Sequence, residues 1–172
     1  MGTESQTEDR FAAWLALLQA QAAVTDGVEA ELLAECGLPL AWHEVLVRLA
    51  HADRQGMRMQ DLARAVLLSK SGLTRLADRM ETARLIERRA CETDRRVTYL
   101  ALTAAGRRKL KECGPVFRRA VGASLAAPLS REELATLGAL LVKVAEAAGA
   151  AGQEDCSPAF EGRVPSAPGD SG

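Results

Sequence analysis

The segment 62–103, with two short helical patterns followed by two short strand patterns, constrains the fold of this chain most strongly. Ser69 can cap the second helix, because its hydroxyl can accept a backbone N–H that the first helical turn leaves unpaired. Apolar residues then recur at three- and four-residue steps, which predicts a buried face: Leu73, Leu76, Ala77 and Met80. The opposite face is polar: Lys70, Ser71, Thr74, Arg75, Asp78 and Arg79. A helix with an apolar back and a polar front fits the major groove of DNA.

Two predicted strands follow this helix. They are Ile86–Ala90 and Val97–Leu102, and the charged segment 91–96 (CETDRR) between them is predicted to be the exposed tip of a hairpin. Helix, turn, helix and hairpin in this order predict a winged helix-turn-helix, in which the hairpin is the wing.

These residues resemble the MarR-type transcriptional regulators, over roughly residues 10–148. Asp94, Arg96, Leu102 and Thr103 match the D-x-R-(x5)-L-T signature of that family, and the run 62–81 is similar to its recognition segment. Two positions depart from the family pattern. Arg84 stands where members usually have glycine, and Met59 stands where they usually have a capping Ser or Thr. A non-glycine residue in the left-handed conformation costs on the order of 1 kcal/mol.

The resemblance implies a mainly α fold with a small β-hairpin wing, flanked by N- and C-terminal dimerisation helices. It implies a homodimer that binds double-stranded DNA at a pseudo-palindromic operator. It also implies repression, relieved by a small-molecule effector that binds where the dimer helices meet the winged helix. We expect a flexible N-terminus (1–9), a MarR-like domain (10–148) and a disordered C-terminal tail (149–172). Within the domain, we expect the winged helix-turn-helix at about 40–103 and dimerisation helices at about 10–36 and 104–148.

The predicted DNA contacts lie on the recognition helix and the wing. An arginine such as Arg75 can bind guanine or clamp a phosphate with its planar guanidinium, although a surface pair with Asp78 is the alternative. The resemblance implies that Arg96 reaches a minor groove and that Asp94 supports the wing; a simple hairpin salt bridge is the alternative. We expect Arg88, Arg89 and Arg95 to contribute charge for the DNA backbone rather than to read sequence. The predicted contacts are Ser69, Lys70, Ser71, Thr74, Arg75, Arg79, Arg95 and Arg96.

Positive charge is concentrated on the segment that contains these residues. Residues 58–112 carry 14 Lys and Arg against 7 Asp and Glu, a surplus of +7. The rest of the chain keeps 8 basic and 16 acidic residues, a balance of −8. The segment therefore favours binding to phosphates, although a solvated basic face is the alternative.

The flanking regions are predicted to be helical. From Arg10 to about Glu35, an apolar stripe is either a core helix or half of a dimer interface: Phe11, Leu15, Leu18, Ala22, Val28 and Leu32. After Thr103, a second helix is expected to kink or break near Gly114–Pro115. Ser130 and Glu133 form a predicted capping box for the last helix.

Other classes of protein are less well supported. No apolar run approaches the roughly 20 residues that cross a membrane, and the acidic N-terminus is unlike a signal peptide, so we expect a cytoplasmic protein. The sequence has no nucleotide-binding, hydrolase or metalloprotease motif, so we expect neither an enzyme nor a cofactor. Two histidines and the absence of zinc-ligand spacing argue against a metal site.

The effector pocket is the least constrained prediction. Trp14, Trp42 and His43 are candidates for lining it, but an exposed or hydrogen-bonded structural role is the favoured interpretation of His43. Two alternative functions remain open. One is a cysteine-based oxidant-sensing repressor that uses Cys91, which is flanked by arginines that lower a thiol pKa. The other is a winged-helix module for protein–protein interaction. Cys113 is predicted to pack in the core.

Overall fold

Six helices and three short strands make up the described part of the chain. The computed structural model describes residues 2–53, 55–66, 68–90 and 97–150. The helices are α1 (Gly2–Cys36), α2 (Leu40–His51), α3 (Met59–Ala65), α4 (Lys70–Thr82), α5 (Ala104–Val121) and α6 (Arg131–Ala145). The strands are β1 (Met57–Arg58), β2 (Ile86–Ala90) and β3 (Thr98–Leu102), and π-helical segments follow α5 at Gly122–Ala126 and α6 at Glu146–Ala150. The prediction of a mainly α fold with a small β-hairpin wing is confirmed.

The chain divides into two compact units, residues 1–134 and 135–172. The first contains α1 to α5, the three strands and the start of α6. The described part of the second consists of the remainder of α6 and the π-helical segment after it. The core of the first unit draws on α1, α2, α3, α4, α5 and the sheet, and its fully buried large side chains include Leu32, Leu46, Leu62, Leu73, Met80, Ile86 and Leu100.

The three strands form an antiparallel sheet in the order β1-β3-β2. The predicted hairpin is β2 and β3, paired from Ile86 with Leu102 out to Ala90 with Thr98. The two-residue strand β1 was not predicted. It follows Gly56, whose φ of 89° lies in the left-handed region, and a Cβ at that position would lie 2.1 Å from the carbonyl oxygen of Leu100. Glycine therefore lets the chain approach β3 closely enough to pair with it.

The apolar stripe of α1 has two different environments along its length. Val28 and Leu32 are buried in the core, whereas Phe11 is 64% exposed and Leu15 is 55% exposed. The C-terminal part of the stripe therefore packs in the core, as one interpretation expects. The N-terminal part is exposed among the described residues, and its place in a dimer interface stays a prediction.

The predicted kink or break at Gly114–Pro115 does not take the form of a break, because α5 continues through Pro115 to Val121. Proline leaves the carbonyl four residues earlier, that of Lys111, without its intrahelical hydrogen bond. Lys111 and Pro115 are both exposed, so water can satisfy this carbonyl on the solvent side of the helix. The predicted capping box is confirmed, since Ser130 N donates to Glu133 Oε2 at 2.8 Å and Glu133 N donates to Ser130 Oγ at 3.2 Å.

Helix α4 ends in a turn with a left-handed residue, at a position where the departure from the family pattern left the geometry open. Arg84 has a φ of 59°, in the left-handed region. Its N–H donates to Glu81 O at 2.8 Å, and the N–H of Leu85 donates to Met80 O at 3.0 Å, which is the hydrogen-bond pattern of a Schellman motif. The hydroxyl of Thr103 donates to Arg84 O at 2.6 Å and ties this turn to the start of α5.

Replacing Arg84 by glycine should therefore raise the free energy of unfolding by about 0.5–1 kcal/mol, because glycine adopts this conformation without a Cβ clash. Arg84→Ala is the matched control, since it removes the same side chain and keeps the strained Cβ. Urea denaturation of the three proteins measures the difference. A glycine variant no more stable than the alanine variant would show that the turn is not strained.

Candidate nucleic-acid interface

Helix α4 begins as the sequence predicted. Ser69 is its N-cap, and its Oγ accepts a hydrogen bond from Gly72 N at 3.1 Å. The back of α4 is fully buried at Leu73, Ala77 and Met80. This buried face fixes the rotation of the helix, so the polar residues between these positions must face outward.

The N-terminal part of the predicted front of α4 forms one surface. A shallow, open depression is lined by Ser69, Lys70, Ser71, Thr74 and Arg75. Lys70, Ser71 and Arg75 are exposed, and Thr74 is half-buried because its hydroxyl lies 3.8 Å from Met59 Sδ in α3. Within the described ranges, neither Lys70 nor Arg75 forms an ion pair or hydrogen bond through its side chain. Two cationic side chains on this surface are therefore available to an external anion.

Met59 occupies a different position from that of a helix cap. It is the first residue of α3, and Arg58 holds the N-cap position without a side-chain hydrogen bond to the helix. The Arg58 guanidinium instead donates from Nε to the hydroxyl of Tyr99 at 3.2 Å and lies over the Tyr99 ring, 5.9 Å from its centroid. This pair places a positive charge beside β3, one of the two wing strands, which the sequence alone did not indicate.

The pair expected as the alternative for Arg75 is not formed, because Asp78 binds another arginine. Asp78 accepts a hydrogen bond from Arg88 at 2.6 Å, and Arg88 also pairs with Glu81. The hydrogen bond that Arg88 donates to Asp78 is the largest of the effects that raise the pKa of Arg88. Arg88 thus connects β2 to α4, and two internal carboxylates compensate its charge, contrary to the expectation that it serves the DNA backbone. Arg89 pairs with Glu87 at 2.5 Å.

The predicted wing contacts lie beyond the paired strands. Cys91, Asp94, Arg95 and Arg96 fall in the segment 91–96, outside the described residues. Among the described residues, the pairing of β2 with β3 extends as far as Ala90 with Thr98. The assignments of Asp94, Arg95 and Arg96 therefore remain predictions.

The three candidates for an effector pocket are not brought together. Trp14 is 56% exposed on α1, and the described residues show no ring contact from it to Trp42 or His43. Trp42 packs partly buried against the core, and the guanidinium of Arg79 lies over its ring at 5.7 Å. The ligand role of these residues remains a prediction.

The favoured interpretation of His43 is wrong. His43 is 1% exposed and stacks on Phe117, with ring centroids 4.2 Å apart, and neither of its ring nitrogens has a hydrogen-bond partner in the described structure. Burial disfavours the charged imidazolium and lowers the pKa of His43 to about 4.

Cys113 lies in the core, as predicted. Cys36 is also buried, and burial is the main cause that raises the pKa of Cys113 to about 12. In the part of the chain that the structure describes, no group of three or more His, Cys, Asp and Glu side chains could hold a metal ion. None of the described helices is both long and apolar enough to span a membrane.

Comparison with known proteins agrees with this geometry. Residues 37–97 match the model of the MarR family. AbsC from Streptomyces coelicolor, a MarR family transcriptional regulator, shares 32% sequence identity, with 87% of this chain and 97% of that chain covered and a TM-score of 0.74. Sco3205, a MarR family regulator from the same organism solved in complex with DNA, shares 26% identity over 86% of this chain and 89% of that one, with a TM-score of 0.75.

A third solved structure is that of CouR from Rhodococcus jostii RHA1 bound to p-coumaroyl-CoA. It is 25% identical, with 76% of this chain and 89% of that chain covered and a TM-score of 0.65. No curated protein matches the sequence. The chain belongs to the MarR family of transcriptional regulators, because its sequence similarity to AbsC extends over most of both chains and because its fold and the exposed face of α4 agree with that family.

Proposed function

We propose that this protein is a sequence-specific repressor that binds a pseudo-palindromic operator as a homodimer and releases it when a small molecule binds. Helix α4 enters the major groove, and Lys70 and Arg75 contact bases and phosphates there. Arg96 on the wing contacts the adjacent minor groove with the support of Asp94, and Arg95 contributes positive charge for the DNA backbone. The observation that carries this proposal is the surface of α4, where neither Lys70 nor Arg75 has a side-chain partner among the described residues, while Leu73, Ala77 and Met80 are buried on the opposite face. Such a protein acts where the DNA is, in the cytoplasm, and its role is regulatory rather than enzymatic.

Binding to a random duplex should weaken steeply as salt concentration rises, because each phosphate that a cation neutralises releases condensed counterions. With about 6 phosphate contacts per dimer, the slope of log K against log salt concentration should be near −5. Fluorescence anisotropy with a labelled duplex between 50 and 300 mM salt (roughly the range in which this effect is large) measures the slope. A flat dependence would favour the alternative of a protein–protein interaction module.

The dimer explains the uncovered apolar side chains of α1. Phe11 and Trp14 are more than half exposed, and they lie on the same helix as the exposed residues Leu15, Leu17 and Leu18. A row of exposed large apolar side chains is a marker of a protein interface. A two-fold symmetric pair of chains buries the same surface on both copies.

Light scattering should therefore give a mass of twice 18.3 kDa at micromolar concentration. The double substitution Leu15→Glu/Leu18→Glu should shift the protein to monomer, because it would bury four carboxylates per dimer interface. Gln19→Glu is the matched control on the same helix, and we expect it to stay dimeric. A wild-type monomer would contradict the proposal.

Either a small-molecule effector or an oxidant could release this regulator from DNA. CouR was solved bound to p-coumaroyl-CoA, and its relation to this chain favours a small amphipathic effector here. An oxidant sensor that uses Cys91 is the alternative. Mass spectrometry after hydroperoxide treatment, combined with an operator-binding assay, distinguishes the two. If the protein is an oxidant sensor, oxidation of the Cys91 thiol should be accompanied by loss of DNA binding, and the Cys91→Ser variant should keep its DNA binding after the same treatment.

A further inference from the structure

Two arginines on the outward side of α4 are held in different ways. Arg75 has no internal partner in the described structure, whereas the guanidinium of Arg79 lies over the indole of Trp42, 5.7 Å from the ring centroid. Asp78, the neighbouring carboxylate, is engaged with Arg88. Among the described residues, the indole is therefore the group that restrains the Arg79 guanidinium.

Trp42 is in turn held firmly by the core. It packs partly buried against the core cluster from α2. The next residue, His43, is buried and stacked on Phe117 of α5. This turn of α2 is therefore fixed against α5 on one side and contacts α4 on the other, so the plane of the indole has a defined position relative to the recognition helix.

We propose that Trp42 is a positioning residue for DNA binding, whose indole holds the Arg79 guanidinium in place to clamp a DNA phosphate; this inference rests on the function proposed above. A guanidinium that stacks on an aromatic ring uses its face, and the N–H donors along its edge remain available to phosphate oxygens. Holding a long side chain in its bound conformation before DNA arrives reduces the conformational entropy that binding removes. Arg79 therefore differs from Arg75, which is free to adapt to base edges.

A double-mutant cycle tests this inference. Trp42→Leu keeps an apolar side chain against the core and removes the aromatic face, whereas Trp42→Phe keeps a smaller face. Affinity for a selected operator is measured at one fixed salt concentration for these two variants, for Arg79→Ala and for Trp42→Leu/Arg79→Ala. Circular dichroism and thermal denaturation establish that each variant is folded.

We expect Trp42→Leu to lower the affinity of the dimer by about 4- to 25-fold, since an exposed cation–π contact contributes roughly 2- to 5-fold in each half-site. Trp42→Phe should recover part of this loss. In the Arg79→Ala background, Trp42→Leu should cause no further loss. Arg79→Ala itself should make the salt slope shallower by about 2, because two phosphate contacts per dimer disappear.

An equal loss on replacing Trp42 with and without Arg79 would show that Trp42 acts through packing alone, and the inference would be wrong. It would also be wrong if Arg79→Ala changed neither the affinity nor the salt slope. Failure of the wild-type protein to bind any duplex would instead overturn the proposed function. If Trp42→Leu does not fold, Trp42→Phe takes its place in the cycle, with the same expected sign and a smaller factor.

Discussion

Replacing Arg75 by alanine should lower the affinity of the dimer for its operator by about 30-fold to 10⁴-fold, and its affinity for a scrambled duplex far less. A lost bidentate contact to a base costs about 1–3 kcal/mol, and the dimer loses one in each half-site. Arg75 is the candidate for this contact because it is exposed on the front of α4 and has no internal partner in the described structure. Its removal disturbs no buried face, so the variant should remain folded and dimeric.

The measurement is a pair of binding curves, with operator and scrambled duplex at one salt concentration. Arg118→Ala is the matched control, because it removes one positive charge from an exposed position near the end of α5, away from the proposed interface. Equal losses on operator and scrambled DNA after Arg75→Ala would mean that Arg75 clamps a phosphate and reads no base.

The predicted wing residue Arg96 should behave differently from Arg75. A minor groove offers a degenerate pattern of donors and acceptors, so Arg96→Ala should weaken binding to all sequences or mainly reduce the preference for A·T-rich flanks. The same two duplexes measure this effect. An Arg96→Ala variant that binds both as the wild type does would refute the role of the wing.

Acid should destabilise the protein through His43, by about 3 kcal/mol at pH 4 relative to pH 7. The pKa of His43 is lowered from 6.5 to about 4 by burial. Above pH 6.5 the imidazole is neutral in the folded and the unfolded chain, so it makes no difference to stability. Between pH 6.5 and 4 the unfolded chain binds a proton that the folded chain does not, and stability falls by up to about 1.4 kcal/mol per pH unit.

Acid also titrates carboxylates. The effect of His43 is therefore measured as the difference in acid-induced loss of stability between the wild type and a variant without this imidazole. His43→Phe keeps an aromatic ring against Phe117 and removes two buried nitrogens that have no hydrogen-bond partner among the described residues. Urea denaturation at pH 7, 5.5 and 4.5 should show a much smaller loss of stability in this variant. His51→Gln, at the exposed second histidine, should leave the wild-type pH dependence unchanged. Parallel pH curves for wild type and His43→Phe would contradict the prediction.

The recognition helix could be predicted because the residues that define it lie close together in the sequence. The Ser69 cap and the spacing of Leu73, Ala77 and Met80 are set within one helix, and the structure confirms both. The strand Ile86–Ala90 was also predicted with its observed bounds. The turn geometry at Arg84 was left open by the departure from the family pattern, and the structure shows a left-handed residue there.

The features that the sequence did not predict depend on contacts between distant residues. Strand β1 is two residues long and exists through its pairing with Leu100 and Tyr99, so it leaves no periodic pattern. His43 is buried because α5 packs on that side of α2, which apolar spacing within α2 does not reveal. Likewise, the pairing of Arg88 with Asp78 joins residues ten positions apart on a strand and a helix.

Selection of bound sequences from a random pool of DNA duplexes tests the central claim most directly. Two copies of α4 in successive major grooves on one face of the duplex should enrich a pseudo-palindrome whose half-sites are centred about 10 base pairs apart. Arg75→Ala protein should enrich the same half-site spacing but lose the preference at one or two positions in each half-site. If the sequences that the wild-type dimer binds are no different from the starting pool, the account is contradicted, because α4 then does not read the DNA sequence.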